Sequence, residues 1–149
     1  MKISAIVDDS ELQSLFKTLR ENSSDMSDYM RDASIYMKKK IMDNFEDEGN
    51  PNWKPLSENY LKYKMKVKGA SKILEFHGEL KQSINSKYGK MEAETFTAKK
   101  YGVYQQTGTG RLPARPFMPS DDVPDMQPFD QEGMDFFVRK ATEAVMKGV

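Results

Sequence analysis

The sequence predicts an α+β domain in which N-terminal amphipathic helices and a C-terminal helix pack on a mostly antiparallel sheet. Three features carry that prediction. Met26, Met30, Ala33, Met37, Ile41 and Phe45 step by three or four residues, the spacing of a buried helical stripe. Residues 82–97 read as two extended arms around Tyr88-Gly89-Lys90, the pattern of a β-hairpin. Met134, Phe137, Val138, Ala141, Ala144 and Val145 return to helical spacing near the C-terminus. At 149 residues the chain suits a single domain, 1–149, large enough to bury a core.

The elements follow in order. Ile3, Ala5 and Val7 alternate with Lys2, Ser4 and Ile6, which predicts a short first strand. Asp8-Asp9-Ser10 then supplies N-caps for a helix whose apolar positions are Leu12, Leu15, Phe16 and Leu19, interrupted at Asn22-Ser23-Ser24. The long helix carries Asp25, Asp28 and Asp32 early and Lys38, Lys39 and Lys40 later, a polarity that suits its dipole; Gly49 closes it and Pro51 prevents its resumption. Pro51 to Ser71 reads as a loop anchored by Trp53 and Leu56, with a short helix capped by Ser57 and continuing through Tyr63, and with Gly69 as a break. Ile73, Leu74 and Phe76 precede Gly78, and Leu80 and Ile84 follow. The hairpin arms are Ser83 to Tyr88 and Met91 to Thr97. Tyr101 and Tyr104 share one helical turn or a bend, and Gln105 to Arg111 reads as a flexible glycine-rich loop. Pro113-Ala114-Arg115-Pro116-Phe117-Met118 is extended because proline disfavours helix on both sides. Asp121 to Gln131 is an acidic, proline-containing loop, and a last helix runs from about Asp130 to Met146.

Composition narrows the function classes. The absence of cysteine excludes disulfides, thiolate chemistry and cysteine metal sites. The opening residues carry no long apolar segment and turn acidic at Asp8-Asp9, so neither a signal peptide nor a membrane helix is expected. Net charge is zero, but unevenly spread: residues 1–50 hold 7 Lys/Arg against 11 Asp/Glu, 51–115 hold 13 against 5, and 116–149 hold 3 against 7. A basic middle between acidic ends allows complementary patches for head-to-tail self-association; interleaving of the segments on folding would instead leave a mixed surface.

Signals for chemistry are sparse. His77 is the single histidine and sits before Gly78, where a turn role is the simpler reading, so no metal, cofactor or catalytic residue is assigned. Asp43, Glu46, Asp47 and Glu48 read as a solvated helix end. Thr107-Gly108-Thr109-Gly110-Arg111 matches neither a P-loop nor a dinucleotide loop, and Pro113 would disrupt a helix start beyond it. Lys62, Lys64, Lys66 and Lys68, with Lys72 beyond and Tyr60 and Tyr63 interleaved, are candidate nucleic-acid contacts, with a solvated helix face or a protein contact as the competing readings.

Several strips, in order along most of the chain, resemble the phage virion morphogenesis family that includes the Mu-like tail-completion proteins. They are Phe45 with Glu48-Gly49-Asn50-Pro51-Asn52-Trp53-Lys54-Pro55-Leu56-Ser57, then Lys72-Ile73-Leu74, Gly78-Glu79-Leu80 and Ser83-Ile84. Tyr101, Tyr104-Gln105-Gln106-Thr107-Gly108 and Pro113 to Met118 complete the set. Trp-x-Pro-Leu-Ser and Pro-Ala-Arg-Pro-Phe are the specific ones. The chain departs from the pattern at Gly102, where alanine is usual, and at Gln105, where histidine is common. The resemblance implies a non-enzymatic structural protein of tail completion or the head–tail neck, acting through a homo-oligomeric ring and contacts with other tail or neck proteins. Contact with DNA in the phage channel or packaging apparatus is the alternative. It further implies assembly in the bacterial host cytoplasm and then residence in the virion. Phe45, Trp53, Leu56, Leu74, Gly78, Leu80 and Phe117 would be structural anchors, and Tyr101, Tyr104, Gln106, Gly108, Arg111 and Arg115 interaction residues. Arg115, held between Ala114 and Pro116, is expected to bond a buried or partner carboxylate.

Overall fold

The computed structural model describes residues 10–69, 71–119 and 131–147. It contains α1 (Ser10–Ser24), α2 (Ser27–Glu46), α3 (Glu58–Lys68), α4 (Glu79–Gln82), β1 (Ile84–Tyr88), β2 (Ala93–Thr97), α5 (Gly102–Thr107) and α6 (Gln131–Val145). This is an α+β arrangement, and its sheet among the described residues is the antiparallel hairpin β1–β2, paired from Ile84 opposite Thr97 to Tyr88 opposite Ala93. The strand expected at Ile3–Val7 and the acidic loop expected at Asp121–Gln131 lie outside the described residues, save Gln131, which opens α6.

α2 is the axis. Its stripe buries Ala33, Ile41 and Phe45 as the three-to-four spacing requires, and both hairpin strands pack along it. The Met26 N–H donates to the Lys90 carbonyl at 2.9 Å, so the hairpin turn satisfies a helix-start donor that has no intrahelical partner. Asp25 accepts from the Ser27 N–H and hydroxyl, and these bonds hold its carboxyl below the ordinary value. Toward its N-terminal half α2 receives α6. Tyr36 stacks on Phe136 with ring centroids 4.5 Å apart, and Phe137 meets both Tyr36 and Tyr29 edge-on. α1 joins them through Asn22, whose Nδ2 donates to the Val145 carbonyl at 2.8 Å.

The core lies at the other end of α2: Ile41, Phe45, Trp53, Ile73, Leu80, Ile84 and Phe117, with Met42, Leu56, Leu74 and Met118 packed around it. The helix stops where Glu48 (φ 56°) and Gly49 (φ 103°) turn left-handed, and the Gly49 N–H returns to the Asn44 carbonyl at 2.9 Å.

Three local expectations change. The second hairpin arm begins at Ala93 rather than Met91, because the Gly89 N–H bonds the Glu92 carbonyl at 2.8 Å and spends residues 90–92 on the turn. α3 continues past Tyr63 to Lys68, where Gly69 (φ 64°) ends it, and the Ser57 hydroxyl makes no capping bond although Ser57 stands at the N-cap. Gln105 to Thr107 belong to α5, and the glycine-rich loop shrinks to a turn. In it Thr109 and Leu112 exchange backbone hydrogen bonds of 2.7 and 3.2 Å, so the segment is tied down rather than free.

Candidate functional site

Two extended strips, 53–57 and 113–118, have no ladder partner among the described residues, so side chains and isolated backbone bonds, such as the Trp53 N–H to the Glu48 carbonyl at 2.7 Å, satisfy their backbone groups. The Trp53 indole N–H donates to the Pro116 carbonyl at 2.7 Å, and its ring meets Phe45 edge-on with centroids 5.6 Å apart. Asn44 Nδ2 donates to the Pro116 and Phe117 carbonyls at 3.3 and 3.2 Å, while its Oδ1 accepts from the Asn50 N–H at 2.9 Å. Gln106 Oε1 accepts from the Phe117 and Met118 N–H groups at 3.0 and 3.1 Å. The Arg115 N–H reaches the Gln105 carbonyl at 2.7 Å.

Arg115 closes this latch. Its Nε donates to the Lys54 carbonyl at 3.0 Å and its Nη2 to the Pro55 carbonyl at 3.3 Å. The expected intramolecular carboxylate is therefore replaced by two carbonyls. The strip 53–57 runs past Pro55, which has no N–H and cannot pair in a ladder, and the guanidinium fork supplies the donors. Arg115 is 6% exposed, and burial pulls its ionisation below the ordinary value.

The lysine run of α3 is split by the helix. Leu61, Lys64 and Lys68 share one side by three-to-four spacing. Lys64 is 1% exposed, with its ammonium donating to the Lys72 carbonyl. Burial lowers its pKa, and Glu48 and Glu75 oppose that change. It is thus withdrawn from any nucleic-acid surface, a correction to the reading of four equivalent lysines. Lys68 lies over the Phe76 ring, 5.4 Å from its centroid. Lys62 and Lys66 are exposed.

Between α3, the segment 74–80 and the 109–115 turn lies a groove of about 1110 Å³. One wall is aromatic: Tyr60 and Phe76 have ring centroids 6.5 Å apart, and Tyr63 stacks on Phe76 from outside. Leu56, Leu74, Leu80 and Leu112 are apolar lining, and Lys54, Lys64, Arg111 and Arg115 are cationic lining. Tyr101 borders it at the N-cap of α5, while Tyr104 is exposed on that helix. His77 is exposed at the edge, its ring 4.8 Å from that of Phe76. Glu79 is engaged by Lys99 at 2.6 Å. Behind the groove Glu46 accepts from both Lys72 and Lys81, which bring its pKa down to about 2.

The residues named from the sequence therefore fall into two groups. Phe45, Trp53, Leu56, Leu74, Leu80 and Phe117 lie in or against the core, and Gly78 adopts φ 72° ahead of α4. Gln106 (9% exposed) points inward, and Gly108 (φ 75°) packs so closely that a Cβ would lie 2.7 Å from the Ala114 nitrogen. Neither offers a free contact surface, in contrast to Tyr101, Tyr104 and Arg111, which are exposed. Asn44 was not singled out; an Asn on the buried side of a helix, beside Phe45, is the signal that marks it.

The sequence pattern of the phage virion morphogenesis family matches residues 7–129. This chain belongs to that family. Both latch strips lie within the matched range. The family member is also similar to Mu-like prophage FluMu G protein 1 of Haemophilus influenzae, 32% identical over 123 residues that cover 79% of this chain and 84% of the relative. No solved structure matches it. Membership gives the protein a role in phage virion morphogenesis and an association with the virion. No helix among the described residues is long and apolar enough to cross a membrane.

Proposed function

We propose that this family member is a structural subunit of phage tail completion or of the head–tail neck. It acts by self-association in a ring and by docking on other tail or neck proteins, and it catalyses no reaction. One observation carries the reading: the two most family-like strips are fastened to each other by Trp53 and Arg115, and Asn44 and Gln106 fasten the second of them to α2 and α5. Residues used in that way hold a surface in a set shape, and a preorganised surface loses little freedom when a partner docks. The name of the Haemophilus relative places that protein in a Mu-like prophage, which agrees with a virion part. On this reading the chain folds in the bacterial host cytoplasm and passes into the virion.

Electron microscopy of the purified protein, alone and mixed with tail tubes, tests this. Rings that grow with concentration and decorate one end of the tube are expected; a monomer at every concentration with bare tubes would refute it. A second reading, contact with DNA in the phage channel or packaging apparatus, is favoured by Lys62 and Lys66, exposed one helical turn apart on α3 beside Tyr63. Affinity for duplex DNA should then fall steeply with salt and with Lys62→Ala/Lys66→Ala.

A further inference from the structure

A groove whose lining includes Lys54, Arg111 and Arg115 lies beside α3. Arg115 in its wall is 6% exposed, and two of its donors go to neutral carbonyls. No carboxylate among the described residues pairs with it, nor with Arg111 or Lys54 at the rim. A guanidinium has five N–H donors, and carbonyls alone leave its net charge uncompensated. Glu79, the carboxylate on this lining, is taken by Lys99. Tyr60, Phe76 and several leucines share the lining with these cations. The fitting occupant brings carboxylates and apolar side chains together on an extended backbone. A duplex is a poor fit: much of the slot is apolar, and Lys62 and Lys66 are not part of its lining.

The chain itself contains such a strip. Residues 116–138 contain no Lys or Arg, and within 120–130 stand Asp121, Asp122, Asp125 and Asp130. Val123, Met126 and Phe129 lie between the carboxylates, and Pro124 and Pro128 disfavour helix and lower the entropy lost on ordering. The 11 residues 120–130 have a contour of about 36–40 Å, so a loop held at both ends by Pro119 and Gln131 projects its tip at most about 18–20 Å, enough to enter a groove on an abutting copy.

We propose that the groove of one copy receives the acidic segment 120–130 of the next copy, through carboxylates on Arg115 and Arg111 and apolar side chains against Tyr60 and Phe76. The inference rests on the self-association reading above and gives it an interface. Donor groove and inserted segment are different surfaces, so the contact is head-to-tail, and such a contact closes into a ring when the rotation permits.

Sedimentation velocity on the full chain over a concentration series tests it, with folding checked by circular dichroism. Two variants keep the latch intact: Lys54→Glu/Arg111→Glu in the groove rim, and Asp121→Lys/Asp122→Lys/Asp125→Lys in the segment. The wild type should associate, and each variant alone should associate at least about tenfold more weakly. An equimolar mixture of the two should recover association, because reversed charges meet across the contact. If the wild type associates and both variants match it, the ring stands and this interface is wrong. Weakened variants whose mixture does not recover also overturn the pairing, as does a groove variant that loses duplex DNA binding while associating normally. A wild type that stays monomeric removes the self-association reading and this one with it.

Discussion

Replacing Trp53 by alanine removes the largest side chain of the latch. The indole is 5% exposed, meets Phe45 edge-on at 5.6 Å, and donates to the Pro116 carbonyl at 2.7 Å. Loss of a buried aromatic of this size costs about 3–5 kcal/mol, from lost transfer energy and the cavity that remains. Asn44 Nδ2 at 3.3 Å still reaches the Pro116 carbonyl, so that oxygen is not orphaned and the upper part of the range is not needed. Trp53→Phe keeps ring contact with Phe45 and loses the N–H, and should cost roughly 1–2 kcal/mol. Urea unfolding followed by far-ultraviolet circular dichroism measures both. Trp53 is the single tryptophan, so wild-type fluorescence reports its surroundings alone, and blue-shifted emission is expected in the folded state. A loss below about 1 kcal/mol for the alanine variant, or red-shifted emission from the folded wild type, would refute the latch.

Lys64→Ala should destabilise by about 1–3 kcal/mol because it strips the donor from the part-buried Lys72 carbonyl and empties a buried site, whereas Lys62→Ala on the solvent side should stay within about 0.5 kcal/mol; equal urea midpoints would show that the two lysines are equivalent. Gly108→Ala should lower the melting temperature, since φ 75° is strained for alanine and the new Cβ would lie 2.7 Å from a backbone nitrogen, while Gly110→Ala, with nothing within 4 Å, should not. The Glu46 carboxyl falls from an ordinary 4.5 to about 2 on folding, so its contribution is complete above about pH 4.5 and is lost as pH falls toward 2. Glu46→Gln should therefore be less stable than wild type at neutral pH and converge with it near pH 2; a gap that stays constant across that window would mean the Lys72 and Lys81 pairs are not what sets it.

Periodic elements were legible in the sequence because one face of each is buried. The stripe from Met26 to Phe45 had no other use than to face a core, and the hairpin arms closed on a glycine turn. Lys64 was not legible in the same way. A run of lysines spaced by two reads as one basic surface, and only the helical period, with Leu61 and Lys68 on the same side, turns its middle member inward. Gln106 sat among residues suited to contact and became an internal strut, because among the described residues the strip after Arg115 has no strand beside it and its N–H groups need an acceptor. Arg115 follows the same logic, spent on the Lys54 and Pro55 carbonyls, which no strand among the described residues pairs.

The charge pattern illustrates how folding sorts sequence. Acidic and basic thirds could have interleaved or stayed apart, and the structure does some of each. Glu46 from the first third neutralises Lys72 and Lys81 of the middle, and Asp25 pairs with Lys90. Those pairs consume basic residues on the α2 and hairpin sides of the middle third. Among the described residues of the middle third, Lys54, Lys62, Lys64, Lys66, Lys68, Lys100, Arg111 and Arg115 remain without a carboxylate partner. Lys54, Arg111 and Arg115 line the groove, and Lys62 and Lys66 lie on α3 beside it. Internal pairing thus leaves most of the middle third's unanswered positive charge on the groove and α3, with Lys100 apart from it. A subunit whose core needs no further counter-charge there, yet whose wall holds a buried guanidinium, is built to have that charge answered from outside.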